Sequence, residues 1–451
     1  MNFQFSKSKI ILSIISLLIT FLVWQQGLRE SLDRPSVAFD ISQKESEITE
    51  LAVPVIPSEL RKIIILNDPK ENIRDIISRS SFYDLSERNK LIWLLTRNEG
   101  EVIDPKYYSQ FSKENFKVVA EVLKKYDFDS SYDTSNKFLK EYEFDNYLTH
   151  LIVRRFNFDE KILEKQNIAR FMFLKILVIK LIPLVSIFAG SILVLRFFWK
   201  IFNQRQVNWS KYTPLKLDIL DMVLLISGGF VVLGEVVSPL ISISLVDIVF
   251  KKVNPEISQS LKIIFGYIGM SIPPLFIIYR QIKFTDKDFS YRKDYFQFNQ
   301  KPLSESLKNG ISGWLMIIPF VLLTSLIMNN FISNEGGSNP LLEIVLNNNN
   351  FLALAFLFIT TTIIAPLFEE VIFRGVLLPI LARDLGIYSG IILSAFVFAL
   401  AHLSIGELPP LFVLGIGLGI TRMLSGRLLS SVFMHSLWNG LTFLNLFLLR
   451  T

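Results

Sequence analysis

Cysteine is absent from the 451 residues, which excludes disulfides, thiolate zinc sites and a cysteine nucleophile and leaves the redox compartment open. Histidine is scarce: His150, His402 and His435 are the three in the chain. Charge is thin as well. Asp, Glu, Lys and Arg make up 20% of the residues against 51% hydrophobic, and the mean hydropathy is +0.41. The apolar residues come as uninterrupted blocks that a water-soluble monomer could not expose, so the chain is read as an integral membrane protein in contact with the lipid bilayer. The net charge of +6 and a pI near 9.1 do not imply a nucleic-acid partner, because the basic residues gather in loops between apolar blocks, as membrane orientation requires. No internal repeat and no low-complexity tract interrupts the chain.

The first apolar block, about 10–24, follows Lys7 and Lys9. The next residues, Gln25-Gln26-Gly27-Leu28-Arg29-Glu30, contain no small-x-small cleavage site, so residues 1–27 are expected to be an uncleaved anchor. Residues 28–169 have the composition of a mainly helical extramembrane domain. In 113–125, for example, Phe116, Val119, Ala120 and Leu123 recur at helical spacing, with Ser112 placed to cap. His150 lies there beside Leu148, Leu151 and Ile152 and is read as an ordinary packed or surface histidine.

Residues 170–348 should supply transmembrane helices and basic loops, and 349–451 a C-terminal transmembrane core. A helix needs ~20 residues to span a bilayer, and the apolar runs give an all-α polytopic fold of about nine spans. Residues 241–250 are too short to cross and are expected to lie at the surface or re-enter. Residues 351–382 are too long for one straight span and carry Pro366 and Pro379, which predicts a kinked or broken helix. Basic residues concentrate in two segments, Lys200, Arg205, Lys211 and Lys216, then Arg280, Lys283, Lys287, Arg292, Lys293, Lys301 and Lys308, whereas 334–350 has no Lys or Arg. Alternation across the spans puts the N-terminus and both basic loops inside, at the plasma membrane, and the 28–169 domain outside.

An ionisable group in an apolar block costs on the order of 2–3 kcal/mol even on lenient insertion scales. The run Ala365-Pro366-Leu367-Phe368-Glu369-Glu370-Val371-Ile372-Phe373-Arg374-Gly375 holds three of them. On a helix Glu370 and Arg374 stand four apart and can pair, an arrangement that by itself could simply orient a helix bundle. Glu369 points ~100° away without that partner, as a general base or acid would. His402 follows Phe398 by four residues on one face, and His435 precedes Asn439 by four on the last span. A lone histidine in an apolar helix is ordinarily a satisfied core residue; two in neighbouring spans beside a carboxylate pair suggest a site. The expectation is that Glu369, Glu370, His402 and His435 line one polar cavity.

These three patterns, Glu-Glu-x-x-x-Arg at 369–374, Phe-x-x-x-His at 398–402 and His-x-x-x-Asn at 435–439, resemble the motifs of the CPBP family, which includes the type II CAAX prenyl proteases and bacteriocin-processing membrane proteases. Each pattern alone is weak, and three in order on separate spans are specific. The resemblance covers about 350–445. It implies an intramembrane endopeptidase acting on a membrane protein or peptide. Glu369 with His402 would activate the attacking water, His435 and Asn439 would hold the scissile carbonyl and its oxyanion, and Glu370, Arg374 and Phe398 would shape the site. A CAAX substrate requires prenylation, and nothing in the sequence indicates a cell that prenylates proteins.

No cofactor is expected to be required. Zinc held by His402, His435 and Glu369 is the alternative, although the helix motif His-Glu-x-x-His does not occur. A non-catalytic membrane scaffold or immunity factor with the same fold, and a transporter using Glu369 and the histidines as a proton relay, are the competing readings.

Overall fold

The computed structural model describes residues 7–34, 37–65, 67–97, 103–128, 137–158, 165–204, 207–285, 296–298, 302–331 and 339–450. Arg205, Lys287, Arg292, Lys293 and Lys301 of the basic segments, and residues 334–338, lie outside the described residues. Among the described residues every regular element is helical. The chain divides into two compact units, Met1–Val37 with Leu184–Phe447, and Ala38–Pro183 with Leu448–Thr451.

In the larger unit apolar side chains fill the core and also cover much of the outer surface of its helices. Helix α1, Lys7–Asp33, buries Ser13, Ser16, Thr20, Gly27 and Ser31. It leaves Leu18, Phe21 and Leu22 about 60% exposed or more. Small residues on the packed face let backbones approach, while large apolar ones meet lipid. Thr20 Oγ1 accordingly reaches the Ser227 carbonyl at 3.4 Å. At its start Lys9 pairs with Asp218 at 2.6 Å and Asp221 at 2.9 Å.

Within the smaller unit, α2 (Val37–Ala52), α3 (Ser58–Ile64), α4 (Pro69–Ser78), α5 (Glu87–Thr96), α6 (Glu114–Phe128), α7 (Phe138–Glu141) and α8 (Asn146–Arg155) follow one another. Ile48, Ile73, Leu91, Ile92, Val119, Leu123 and Ile152 are fully buried. The expected periodicity of α6 holds, with Phe116, Val119, Ala120 and Leu123 buried. Ser112 does not cap it; its hydroxyl donates to Glu87, whose other oxygen accepts from the Lys113 N–H at 3.0 Å. Glu47, fully buried, accepts both arms of Arg88 at 2.8 and 2.7 Å, and Asp145 takes the Arg88 Nε at 2.8 Å.

The remaining helices are α9 (Lys165–Gln204), α10 (Ile219–Val249), α11 (Pro255–Thr285), α12 (Leu303–Phe331), α13 (Pro340–Asn347), α14 (Phe351–Leu385), α15 (Ile387–Leu400), α16 (Leu408–Ser425) and α17 (Leu428–Leu448). By length and composition, seven helical stretches among the described residues can cross a membrane, against the nine expected: Lys7–Val55, Asn167–Gln204, Ile219–Val249, Pro255–Lys283, Leu303–Met328, Phe351–Leu385 and Leu408–Ser425. The chain is a multi-pass membrane protein. Residues 241–250 are no separate surface segment but continue α10 as far as Val249. The two helices that fall short are α15, which stops at 14 residues, and α17, whose apolar run is broken by Ser430, Ser431, His435, Ser436, Asn439 and Asn445. Both lead to the histidines.

Helix α14 is not broken. It runs 35 residues, with π-helical stretches at Thr360–Ile364 and Val371–Leu377. Each ends just before an X-Pro step, Ala365-Pro366 or Leu378-Pro379. Proline offers no N–H and its ring crowds the carbonyl four residues back, and the wider turn absorbs both defects without ending the helix.

Candidate active site

Six residues, Glu369 to Arg374, carry the first part of the site across the junction between the short α-helical turn Ala365–Glu370 and the second π-helical stretch. Glu370 and Arg374 are wholly buried, and Glu369 is 8% exposed. Arg374 donates to Glu370 Oε1 at 2.9 Å and, with its other arm, to the Gly415 carbonyl on α16 at 3.1 Å. Its guanidinium lies 4.2 Å from the centroid of the Phe398 ring. That geometry combines an ion pair with a cation–π contact, and both strengthen out of water. Phe398 in turn packs its ring against His402 at 4.7 Å and His435 at 5.7 Å. The aromatic ring is thus the common wall on which the guanidinium and both imidazoles rest.

The imidazoles are oriented by their own neighbours. His402, just past the end of α15, has Nδ1 2.8 Å from the Phe398 carbonyl. A carbonyl only accepts, so Nδ1 carries a proton, and in the neutral ring Nε2 is left as an acceptor. His435 Nδ1 is 3.0 Å from Glu370 Oε1, the oxygen already paired with Arg374. The two Nε2 atoms face Glu369 Oε2, at 4.0 Å for His402 and 3.8 Å for His435. These gaps exceed a direct hydrogen bond. A single water with ~2.8 Å bonds would bridge either pair at an angle of roughly 90°.

Glu369, His402, His435 and Asn439 all line one cavity of about 280 Å³, together with Tyr267, Thr361, Glu407 and Trp438. Glu370 does not line it, contrary to expectation. Its pairing with Arg374 and His435 turns the carboxylate into the packed core, away from the neighbouring Glu369. Asn439 donates to the Thr361 carbonyl at 2.9 Å, across to the first π-helical stretch.

Several polar groups of the site come from outside the three motifs. Glu407, at the start of α16, accepts from the Asn339 N–H at 3.0 Å. Arg422, 1% exposed, donates from Nε to the Arg374 carbonyl at 3.4 Å and to Gln297 at 2.6 Å, bracing α14 from behind. Ser394 does the same from α15, donating to the Phe373 carbonyl at 3.0 Å. The cost of charge in lipid flags Arg422, and also Glu235 on α10 with its buried Oε2, as it flags Glu369. Tyr267 and Glu407 carry no such signal, since a tyrosine is at ease in apolar surroundings and Glu407 sits in the connection between α15 and α16.

Zinc would draw on Glu369 Oε2 and the two Nε2 atoms. Tetrahedral ligands at ~2.1 Å stand about 3.4 Å from one another. The donors here are 4.0 and 3.8 Å apart, and among the described residues no group of three or more such side chains is set to hold a metal ion. As arranged they do not match a zinc set.

Residues 351–441 match the family described as type II CAAX prenyl endopeptidase Rce1-like, and the match spans all three motifs through Asn439. The C-terminal segment is a CPBP-family protease domain. Its motif residues are those that converge on the cavity from α14, α15 and α17, with Glu370 and Arg374 one layer behind. Residues 38–174 match a domain of unknown function, DUF8675. No curated protein and no solved structure matches the chain.

Proposed function

We propose that the chain is an intramembrane endopeptidase in which Glu369 and His402 activate a water against a peptide bond of a membrane-associated protein or peptide. The observation that carries this is the placement of Glu369 Oε2 at 3.8–4.0 Å from both Nε2 atoms in the wall of one cavity. Glu369 takes a proton from the water, His402 Nε2 accepts its second hydrogen bond, and the oxygen adds to the scissile carbonyl. His435, held by the Glu370 carboxylate, stabilises the oxyanion through Nε2, as a carboxylate-supported histidine does elsewhere. Asn439 reorients its amide from Thr361 to share that charge. Collapse breaks the C–N bond, and Glu369 returns its proton to the leaving amine. Arg374 holds Glu370 in register through their ion pair without touching substrate. This scheme uses no metal, in keeping with the donor spacing. A non-catalytic scaffold has no need of two imidazoles aimed at one carboxylate.

The loop charges support a N-terminus on the inner side of the plasma membrane and an outer position for the 28–169 domain.

The test compares new N-termini in membrane vesicles carrying the full chain or Glu369→Gln, read by mass spectrometry. Cleavage within or beside apolar segments, present for the wild type and missing for the variant at equal protein level, is the expected result. Identical sets of termini would overturn the proposal.

A further inference from the structure

The unit Ala38–Pro183 has a cavity of its own, about 240 Å³, whose charged wall is Glu50, Lys70, Arg74, Arg97, Arg154 and Arg155. Five cations meet one carboxylate there. Asp127, which pairs with Arg97 and Arg155, adds a second carboxylate among the described residues. Cations gathered round a concavity repel one another and focus a positive potential into it, which an entering anion relieves.

The arrangement is held rather than loose. Arg155 donates to Asp127 Oδ1 at 2.8 Å, and the other oxygen takes Arg97 and the Tyr108 hydroxyl, the latter at 2.7 Å. The side chains of Arg97 and Arg155 are only 6% and 8% exposed. Arg155 Nε is buried and has no acceptor. At the mouth, Arg154 and Lys70 are 58% and 39% exposed and lie 3.5 and 3.7 Å from Glu50 Oε1. Burial pushes the Glu50 carboxyl above the usual carboxylate range, against the pull of Tyr147, Lys70 and Arg154, so it yields its charge more readily than an exposed glutamate.

We propose that this cavity binds a small phosphoryl group, with the Arg155 and Arg97 guanidiniums at its base and Arg154, Arg74 and Lys70 closing over it. Five basic side chains round one cavity, four of them planar forks and one with a buried Nε that has no acceptor, suit a group with three acceptor oxygens better than a lone carboxylate. The volume lies below the ~300–1,000 Å³ of pockets for drug-sized ligands, so it suits a phosphomonoester head rather than a nucleotide. A free phosphate ester and a lipid phosphomonoester share this chemistry. The proposal is independent of the protease reading.

The experiment is calorimetric titration of the full chain in detergent at about 150 mM salt, a strength that screens exposed charges beyond ~8 Å. The probes are inorganic phosphate, dihexanoyl phosphatidate and dihexanoyl phosphatidylcholine. Saturable binding of phosphate points to a free ester, and binding of phosphatidate alone to a lipid head; either supports the site if Arg74→Glu and Arg154→Glu each weaken it at least tenfold. Both side chains are exposed, and melting of each variant is checked against the wild type, with Lys70→Glu replacing any that unfolds. No saturable binding of phosphate or phosphatidate, equal binding of phosphatidylcholine, or binding unchanged in the variants would overturn it.

Discussion

Replacing Arg374 by methionine removes a cation while keeping most of the volume of one of the largest fully buried side chains in the molecule. Its partner Glu370 is likewise 0% exposed and would keep neutral donors and His435 Nδ1 at 3.0 Å but no paired cation of the guanidinium kind. Breaking a buried pair in this way costs about 3–5 kcal/mol, because the remaining charge is uncompensated. The Gly415 carbonyl also loses the donor it had at 3.1 Å, which adds about 1 kcal/mol. In Arg374→Met/Glu370→Gln no charge is stranded, and the amide still accepts from His435. The double variant should therefore recover to within about 1–2 kcal/mol of the wild type, which makes it about 2–5 kcal/mol more stable than Arg374→Met. Reversible unfolding in mixed micelles, followed by tryptophan fluorescence, measures all three. An Arg374→Met protein within about 1 kcal/mol of the wild type, or a double variant no more stable than the single one, would refute the claim that this buried pair organises the site.

Four further outcomes are expected. Glu369→Gln should lower the cleavage rate by ~10²–10⁴-fold with unchanged melting, the range for losing a positioned base. Exhaustive chelation with metal analysis should leave wild-type activity intact; activity lost with the metal and restored by about one equivalent of zinc would replace the water-and-glutamate scheme. Gly415→Val should destabilise by about 1–3 kcal/mol and impair cleavage, since even a Cβ there would stand 2.9 Å from that of Ala395 and part α15 from α16. For the smaller unit, a carboxyl raised by burial favours the folded state most below its unfolded value near 4.5 and loses that contribution as the pH climbs through the raised value; the melting temperature of Glu50→Gln should therefore gain on the wild type between pH 4 and 7, and a constant gap would contradict the burial of Glu50.

What was legible in the sequence follows from what lipid penalises. Glu369, Glu370, Arg374, His402 and His435 stand out because charge and imidazole are expensive in apolar helices, and the spacing of 370 and 374 already implies their pair. The orientation of Glu370 was not legible. The spacing separates Glu370 from Glu369 by its pairing with Arg374, but only the packing of α16 and α17 draws that pair out of the cavity wall into the core. Tyr267 and Glu407 reach the cavity from α11 and the start of α16, contacts that no local pattern encodes. The expected count of about nine exceeds seven because both apolar runs read as spans in the sequence, whereas α15 ends after 14 residues and polar residues of the site interrupt α17. In the smaller unit, Lys70, Arg74, Arg97, Arg154 and Arg155 read in sequence as ordinary solvated charges among acids. Folding of α4, α5 and α8 brings them round one cavity.

The most direct measurement is cleavage by reconstituted, chelated full-length chain in H₂¹⁸O, with the products analysed by mass spectrometry. One ¹⁸O in each new carboxyl terminus from the wild type, and no product from Glu369→Gln under the same conditions, is the predicted result. Labelled product at the wild-type rate from Glu369→Gln, or no cleavage of any membrane-embedded segment by the wild type, would contradict a glutamate-activated water at this site.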